Sequence, residues 1–122
     1  MSKSLLWSCC AVVILLAACV YDNEEELFED SNCPTIDMSL ETDIKPILEN
    51  NGCVSCHSEN SGSGGVNLET YEGIKASADN GTLLGSVNWD GTASEMPKNG
   101  SQIDECLINK IEAWITQGAE NN

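Results

Sequence analysis

Apolar residues recur at helical spacing near the middle of the chain. A first helix is predicted from Thr42 or Asp43 to about Asn50, with Pro46 in the first turn, where proline is tolerated. Its apolar stripe consists of Ile44, Ile47 and Leu48. The Asn-Asn-Gly sequence that follows is typical of a helix end. We therefore expect the helix to stop there, with the segment after the glycine lying immediately beyond it.

The same spacing is more pronounced towards the C-terminal end of the chain. The apolar positions there are Leu107, Ile108, Ile111, Trp114 and Ile115. They predict an amphipathic helix that Asp104 or Ser101 would cap and Gly118 would end. A shorter helix is predicted from about Thr70 to Ala78.

Two segments between the predicted helices lack this pattern. Ser58–Gly65 is rich in serine and glycine and is predicted to be a loop. Residues 81–101 are also predicted to have little regular structure. A loop of that length in a small domain is usually functional, so we expect site residues in it.

Five residues after the first predicted helix carry a chemical motif. They read Cys53-Val54-Ser55-Cys56-His57, the Cys-x-x-Cys-His spacing of covalent haem attachment. Two thiols three positions apart on a helical turn can add to the two vinyl groups of one haem. The adjacent imidazole can then bind the iron as the proximal ligand. One covalently attached haem c is therefore the predicted cofactor.

Two other uses of such a cysteine pair remain as alternatives. A thioredoxin-like dithiol would need a preceding strand in a βαβ context, which the sequence does not show. A zinc site would need four ligands, usually with a second close Cys/His pair. His57 is the only histidine of the chain, and Cys33 and Cys106 lie far from each other in sequence. Haem attachment is favoured.

The N-terminal segment has the composition of a targeting signal. Lys3 supplies a positive charge, Leu5–Ala18 is mostly apolar, and the Leu-Ala-Ala sequence before Cys19 resembles the lipobox of bacterial lipoproteins. We expect residues 1–18 to be removed and Cys19 to carry lipid that holds the protein on a membrane. An ordinary secretory peptide or a single membrane anchor is the alternative, although a span needs about 20 apolar residues.

The remaining chain divides into a tether and one domain. Residues 19–38 are predicted to be an acidic tether, disordered from Val20 to about Asp30, and an ordered, extended strap that starts at Cys33-Pro34. Residues 39–122 are predicted to form a single small domain. Without the signal peptide, the chain contains four lysines, 20 acidic residues and no arginine. This charge excludes nucleic acid as a natural partner and favours a basic or neutral redox protein. The alternative is that acidity only keeps a surface protein soluble.

Of the seven cysteines, two lie in the predicted signal peptide, one is expected to carry lipid and two are expected to bind haem, which leaves two. These two, Cys33 and Cys106, are predicted to form a disulfide, because an exported protein seldom leaves two thiols free.

The second axial ligand of the iron is predicted to be Met96. No second histidine is present, so two histidines of one chain cannot ligate the iron, and Pro97 would stiffen the loop that holds the thioether. Met38, a lysine or no residue at all are the alternatives. His/Met ligation raises the reduction potential relative to bis-histidine ligation. The residues expected to line the haem are Ile47, Leu68, Trp89, Pro97 and Ile111.

Together, the haem motif, Met96-Pro97 and the terminal amphipathic helix resemble class I cytochromes c over roughly Leu40 to Gly118. More narrowly, the chain is similar to small single-haem lipoproteins of bacterial envelopes. The resemblance implies an all-α cytochrome c fold, whose first and last helices cross near right angles around the haem, with a long distal-ligand loop. It also assigns Cys53 and Cys56 as thioethers, His57 as proximal ligand and Met96 as distal ligand.

These features predict a monomeric, membrane-tethered carrier that transfers one electron at a time in an envelope redox or respiratory chain. It would lie on the periplasmic side or at the outer membrane. The alternatives are a haem-based gas or redox sensor with a weak or absent sixth ligand, and an electron-entry subunit docked to a larger oxidoreductase. An enzyme such as a peroxidase is disfavoured, since the usual distal acid–base groups are missing.

Overall fold

The computed structural model describes residues 33–122, which form helices and connecting segments without a β-strand. The helices are α1 (Lys45–Asn50), α2 (Cys53–Cys56), α3 (Tyr71–Asp79), α4 (Thr82–Asn88) and α5 (Glu105–Thr116). A π-helical turn, Leu40–Ile44, runs directly into α1, and Ser63–Gly65 forms a short 3-10 turn. This part of the chain is therefore all-α, as expected.

The predicted signal peptide, the predicted lipidation site Cys19 and most of the predicted acidic tether lie outside the described residues. From residue 33 onwards, no helix combines the length and the apolar character needed to cross a membrane.

One apolar core connects the first and last helical segments. The π-helical turn contributes Leu40 and Ile44, α3 contributes Ile74, and α5 contributes Ile111 and Trp114, all without exposed surface. The π-helical turn packs against α5, α5 packs against α4, and α4 packs against α3. Burial of each large side chain contributes about 1.5 to 3 kcal/mol. The predicted stripes of the first and last helices therefore face this shared core.

The first helical segment begins earlier than its sequence pattern predicts. Ser39, not Thr42, is the N-cap, and its hydroxyl accepts a hydrogen bond from the Thr42 N–H at 3.4 Å. Pro46 cannot donate a backbone hydrogen bond, and the turn before it is widened, with the Ile44 N–H bonded to the Ser39 carbonyl at 3.1 Å. The extra turn buries Leu40, which the stripe had not included.

The prediction of little regular structure over residues 81–101 was wrong in its first part. Thr82–Asn88 form α4, and the distal loop begins only after it. Leu83 and Val87, four positions apart, are both buried. Gly85 interrupts the pattern and lowers helix propensity, but burial of this apolar face outweighs that preference.

Helix α5 agrees with its pattern at both ends. The Asp104 carboxylate accepts the Cys106 N–H at 2.9 Å, so Asp104 rather than Ser101 is the cap. At the other end Gly118 has a positive φ of 112°, and the next residue, Ala119, donates its N–H to the Trp114 carbonyl at 2.9 Å. Glycine tolerates this conformation, which turns the chain off the helix.

The segment before the first helical turn is fastened to α5 and to the chain beyond it. The Gln117 side chain accepts the Met38 N–H at 2.8 Å and donates to the Thr35 carbonyl at 2.9 Å. The Asn122 side-chain oxygen accepts the Leu40 N–H at 2.9 Å. The strap is thus held at Thr35 and Met38, and the helical turn that follows it is held at Leu40.

Candidate haem site

The haem motif forms a short helix of its own directly after α1. Gly52 adopts a left-handed conformation with φ of 72°, which lets the chain leave α1 and start α2 without a steric penalty. Within α2, Cys53 and Cys56 are the first and last residues, and the His57 N–H donates to the Cys53 carbonyl at 2.9 Å. The two thiols and the imidazole are therefore brought together by one turn of backbone.

His57 is anchored through its backbone rather than its ring. Its carbonyl accepts the Leu68 N–H at 2.6 Å, which ties the motif to the chain beyond the Ser63–Gly65 turn. Its Nδ1 atom is buried and has no hydrogen-bond partner in the described part of the chain. A buried ring nitrogen of a structural histidine is normally hydrogen-bonded, so the unpartnered Nδ1 gives no sign of such a role for this imidazole.

The two thiols of the motif are both free, and they differ in exposure. Cys53 is half-buried and Cys56 is exposed. Burial raises the pKa of the Cys53 thiol, a backbone hydrogen bond partly offsets this, and the charge of Cys56 raises the pKa again. Both thiols are chemically available for thioether formation, with Cys56 the more accessible of the two.

The predicted distal ligand lies on the loop after α4. The Met96 N–H donates to the Ser86 carbonyl at 3.0 Å, and the Met96 carbonyl accepts the Trp89 indole N–H at 2.8 Å. Met96 itself is half-buried. Trp89, which was expected to line the haem, uses its indole N–H within the loop.

The other predicted haem-lining residues fall into two groups. Ile47, Leu68 and Ile111 are buried in the apolar core, with 6%, 7% and 0% of their surfaces exposed. Trp89 and Pro97 are half-buried and belong to the distal loop.

The alternative distal ligand, Met38, is part of the core. Only 6% of its surface is exposed, and it lies in the same cluster as the buried residues of α1 and α5. In the structure its thioether therefore packs among apolar side chains.

Cys33 and Cys106 form a disulfide in the structure, with Cα atoms 5.6 Å apart. The bond joins the strap to the first turn of α5 across 73 positions of sequence. It leaves Cys53 and Cys56 as the free thiols of residues 33–122.

The residues present fit a covalently bound haem better than a metal ion held by side chains alone. The motif supplies two free thiols and an imidazole whose buried Nδ1 has no hydrogen-bond partner among residues 33–122, next to a core of apolar side chains. Across residues 33–122, no group of three or more His, Cys, Asp and Glu side chains could hold a metal ion. A zinc site, which needs four such ligands, is not formed there.

The comparisons with known proteins point in the same direction. The family model described as planctomycete cytochrome c matches residues 53–100, about two fifths of the chain. The match supports a c-type cytochrome. It starts at the first cysteine of the motif and includes Met96 and Pro97. Such a family implies a covalently bound haem c and a role in electron transfer. No curated protein and no solved structure matches significantly.

Two contacts of this site were not evident from the sequence. One is the hydrogen bond from Leu68 to the His57 carbonyl, and the other is that from Trp89 to the Met96 carbonyl. Both involve backbone acceptors, which every residue carries, so no residue type marks them. The Ser-Gly loop after His57 was the only available signal for the first contact, since it lets the chain return to the motif.

Proposed function

We propose that this protein is a mono-haem electron carrier with His57 and Met96 as the axial ligands of the iron. The observation that carries the proposal is the placement of two free thiols and His57 on one helical turn, within the segment that matches a cytochrome c family. When bound, the haem would supply a one-electron couple.

Each residue of the site has a defined task in this proposal. Cys53 and Cys56 would hold the haem covalently, which fixes its position relative to α2. His57 would ligate the iron from the proximal side, and its backbone bonds to Cys53 and Leu68 limit how far it can move. The apolar core beside the motif would exclude water from the buried side of the site.

Attachment of the haem is tested by the intact mass of the exported protein, produced in cells that carry haem-maturation machinery. The expected result is the mass of the chain plus one haem, resistant to acid–acetone extraction. The Cys53→Ser/Cys56→Ser variant is expected to lose the haem, whereas Cys33→Ser/Cys106→Ser is the matched control that should retain it. A chain without haem that carries zinc instead would overturn the proposal.

The carrier is further proposed to be a lipoprotein of the cell envelope, anchored through Cys19 on the periplasmic side or at the outer membrane. The support is the order of residues 16–19. The Cys19→Ser variant should leave the membrane fraction or remain unprocessed, and Cys10→Ser, inside the signal peptide, is the matched control that should not. A Cys19→Ser protein that is still processed and membrane-bound would contradict lipid anchoring.

We also propose that the redox partner is basic where it approaches the haem. Two exposed carboxylates flank the predicted ligands in sequence, since Glu59 follows His57 by two positions and Glu95 precedes Met96. Lys98 adds one positive charge to the same border. Opposite charges raise the rate of association and make it dependent on salt.

The partner's charge is tested with small redox proteins of opposite sign in stopped-flow measurements. Electron transfer with a basic protein should slow as ionic strength rises, and Glu59→Gln/Glu95→Gln should reduce that dependence. Glu112→Gln, an exposed carboxylate on α5, is the matched control. Faster transfer to an acidic protein at low salt would refute the proposal.

A further inference from the structure

The residue that ends α4 has an unusual backbone conformation. Trp89 is the C-cap of α4 and has φ of 57° and ψ of 37°, in the left-handed region. Helices commonly end in this conformation, but the residue is then usually glycine. A bulky side chain there is a genuine outlier, and such strain persists only where surrounding contacts hold it in place.

The contacts that accompany this strain converge on Met96. The left-handed turn brings the Trp89 indole N–H to the Met96 carbonyl at 2.8 Å. The Met96 N–H donates to the Ser86 carbonyl, three residues before Trp89 in α4, at 3.0 Å. Both backbone polar groups of Met96 are therefore bonded to the C-terminal turn of α4.

The rest of the loop is fastened to the same helix. The Gln102 side chain donates to the Val87 carbonyl at 3.0 Å. The start of the loop lies so close to Gly85 that a Cβ atom there would overlap the Thr92 hydroxyl. The loop is thus attached to α4 before, at and after Met96, which leaves this methionine little freedom of backbone movement.

We propose that Trp89 is a positioning residue for Met96, which holds its thioether at the iron through the indole-to-carbonyl hydrogen bond. This inference rests on the proposed function, because it requires Met96 to be the distal ligand.

The size of the expected effect follows from the free energy that one hydrogen bond contributes. A typical intramolecular hydrogen bond changes an equilibrium by about two- to tenfold. An external ligand must displace the Met96 thioether before it can bind the iron. Its apparent affinity therefore rises by the same factor when the thioether-bound state is destabilised.

The test is an imidazole titration of the ferric holoprotein, followed by loss of the thioether-to-ferric charge-transfer band. Trp89→Phe keeps an aromatic ring in a smaller side chain and removes the donor, so it should bind imidazole about two- to tenfold more tightly than the unmodified protein. Tyr71→Phe is the matched control. It also removes one side-chain hydrogen bond to a backbone carbonyl, that of Ala119 at 3.2 Å, but leaves α4 and its loop untouched. Its imidazole affinity should stay unchanged.

A second variant separates positioning from structural support. Trp89→Gly removes the donor and relieves the strain of the left-handed conformation. It should bind imidazole at least as tightly as Trp89→Phe does, whatever its thermal stability. Both variants should also show faster hydrogen exchange at the Met96 backbone amide, because the loop would be held less firmly.

The outcomes distinguish this inference from the proposed function. If the unmodified protein lacks the charge-transfer band, Met96 is not the ligand and the proposed ligation fails with it. If the band is present but Trp89→Phe binds imidazole as the unmodified protein does, only the positioning role is refuted. The role is also refuted if Tyr71→Phe raises the affinity by the same factor.

Discussion

The disulfide between Cys33 and Cys106 is expected to supply a large part of the stability of this domain. It closes a loop across 73 positions of sequence. In the chain-entropy treatment a cross-link over such a loop destabilises the unfolded state by about 4.4 kcal/mol at 25 °C. For a domain of this size each kcal/mol shifts the Tm by about 4 to 8 °C, so reduction should lower the Tm by roughly 18 to 35 °C.

The assay is thermal unfolding of the ferrous holoprotein, followed by circular dichroism with and without dithiothreitol. Ascorbate in every sample keeps the iron ferrous, so the thiol reagent changes only the disulfide. Thioether bonds to haem do not exchange with thiols, whereas a disulfide does. The Cys33→Ala/Cys106→Ala variant is the control, since its Tm should be low from the start and indifferent to dithiothreitol.

Two results would refute this reasoning about the disulfide. One is a drop in Tm of less than about 5 °C after alkylation has shown that both cysteines are reduced, because even the smaller expected effect is more than threefold larger. The other is a Cys33 thiol that iodoacetamide modifies in the native, unreduced protein.

Two further predictions concern tight contacts of the helices and their loops. Gly73→Ala places a Cβ atom onto the backbone carbonyl of Asn67, so overpacking should outweigh the gain in helix propensity and lower the free energy of unfolding in urea by about 1 to 2 kcal/mol; an unchanged or higher stability would contradict this contact. Hydrogen bonds from the Thr92 hydroxyl and N–H hold the pKa of the Asp90 carboxyl below its ordinary value. The pKa of this carboxyl is lower in the folded protein than in the unfolded chain. The hydrogen bonds therefore persist at pH values above the ordinary pKa and are lost as the pH falls through the lowered pKa. An NMR titration should therefore give a midpoint below that of an unperturbed aspartate, and Thr92→Val should move it upwards; no upward shift would show that the hydrogen bonds are not the cause.

Much of the site could be predicted because its chemistry is local in sequence. Cys53, Cys56 and His57 lie within five residues, and one helical turn is sufficient to bring them together. The amphipathic pattern of α5 predicted its extent for the same reason, since a stripe at helical spacing has one face to bury. The family match independently supports the haem motif.

What the sequence did not predict depends on tertiary packing. Helix α4 was missed because Gly85 weakens its pattern, and the reason for that glycine is the loop that packs against it. The N-cap Ser39 was missed because the widened turn before Pro46 adds residues that no stripe marks. Neither feature can be seen until the segments that contact it have been placed.

The central claim, a haem whose iron is ligated by His57 and Met96, is tested most directly by absorption spectroscopy of matched methionine variants. The unmodified protein should be low-spin in both oxidation states, should show the thioether-to-ferric charge-transfer band, and should not bind carbon monoxide. Met96→Leu should lose the band and bind carbon monoxide, while Met38→Leu, a volume-conserving change in the core, should do neither. Loss of the band in Met38→Leu would make Met38 the ligand and contradict the account. A high-spin unmodified protein that binds carbon monoxide readily would also contradict it and would favour a gas or redox sensor.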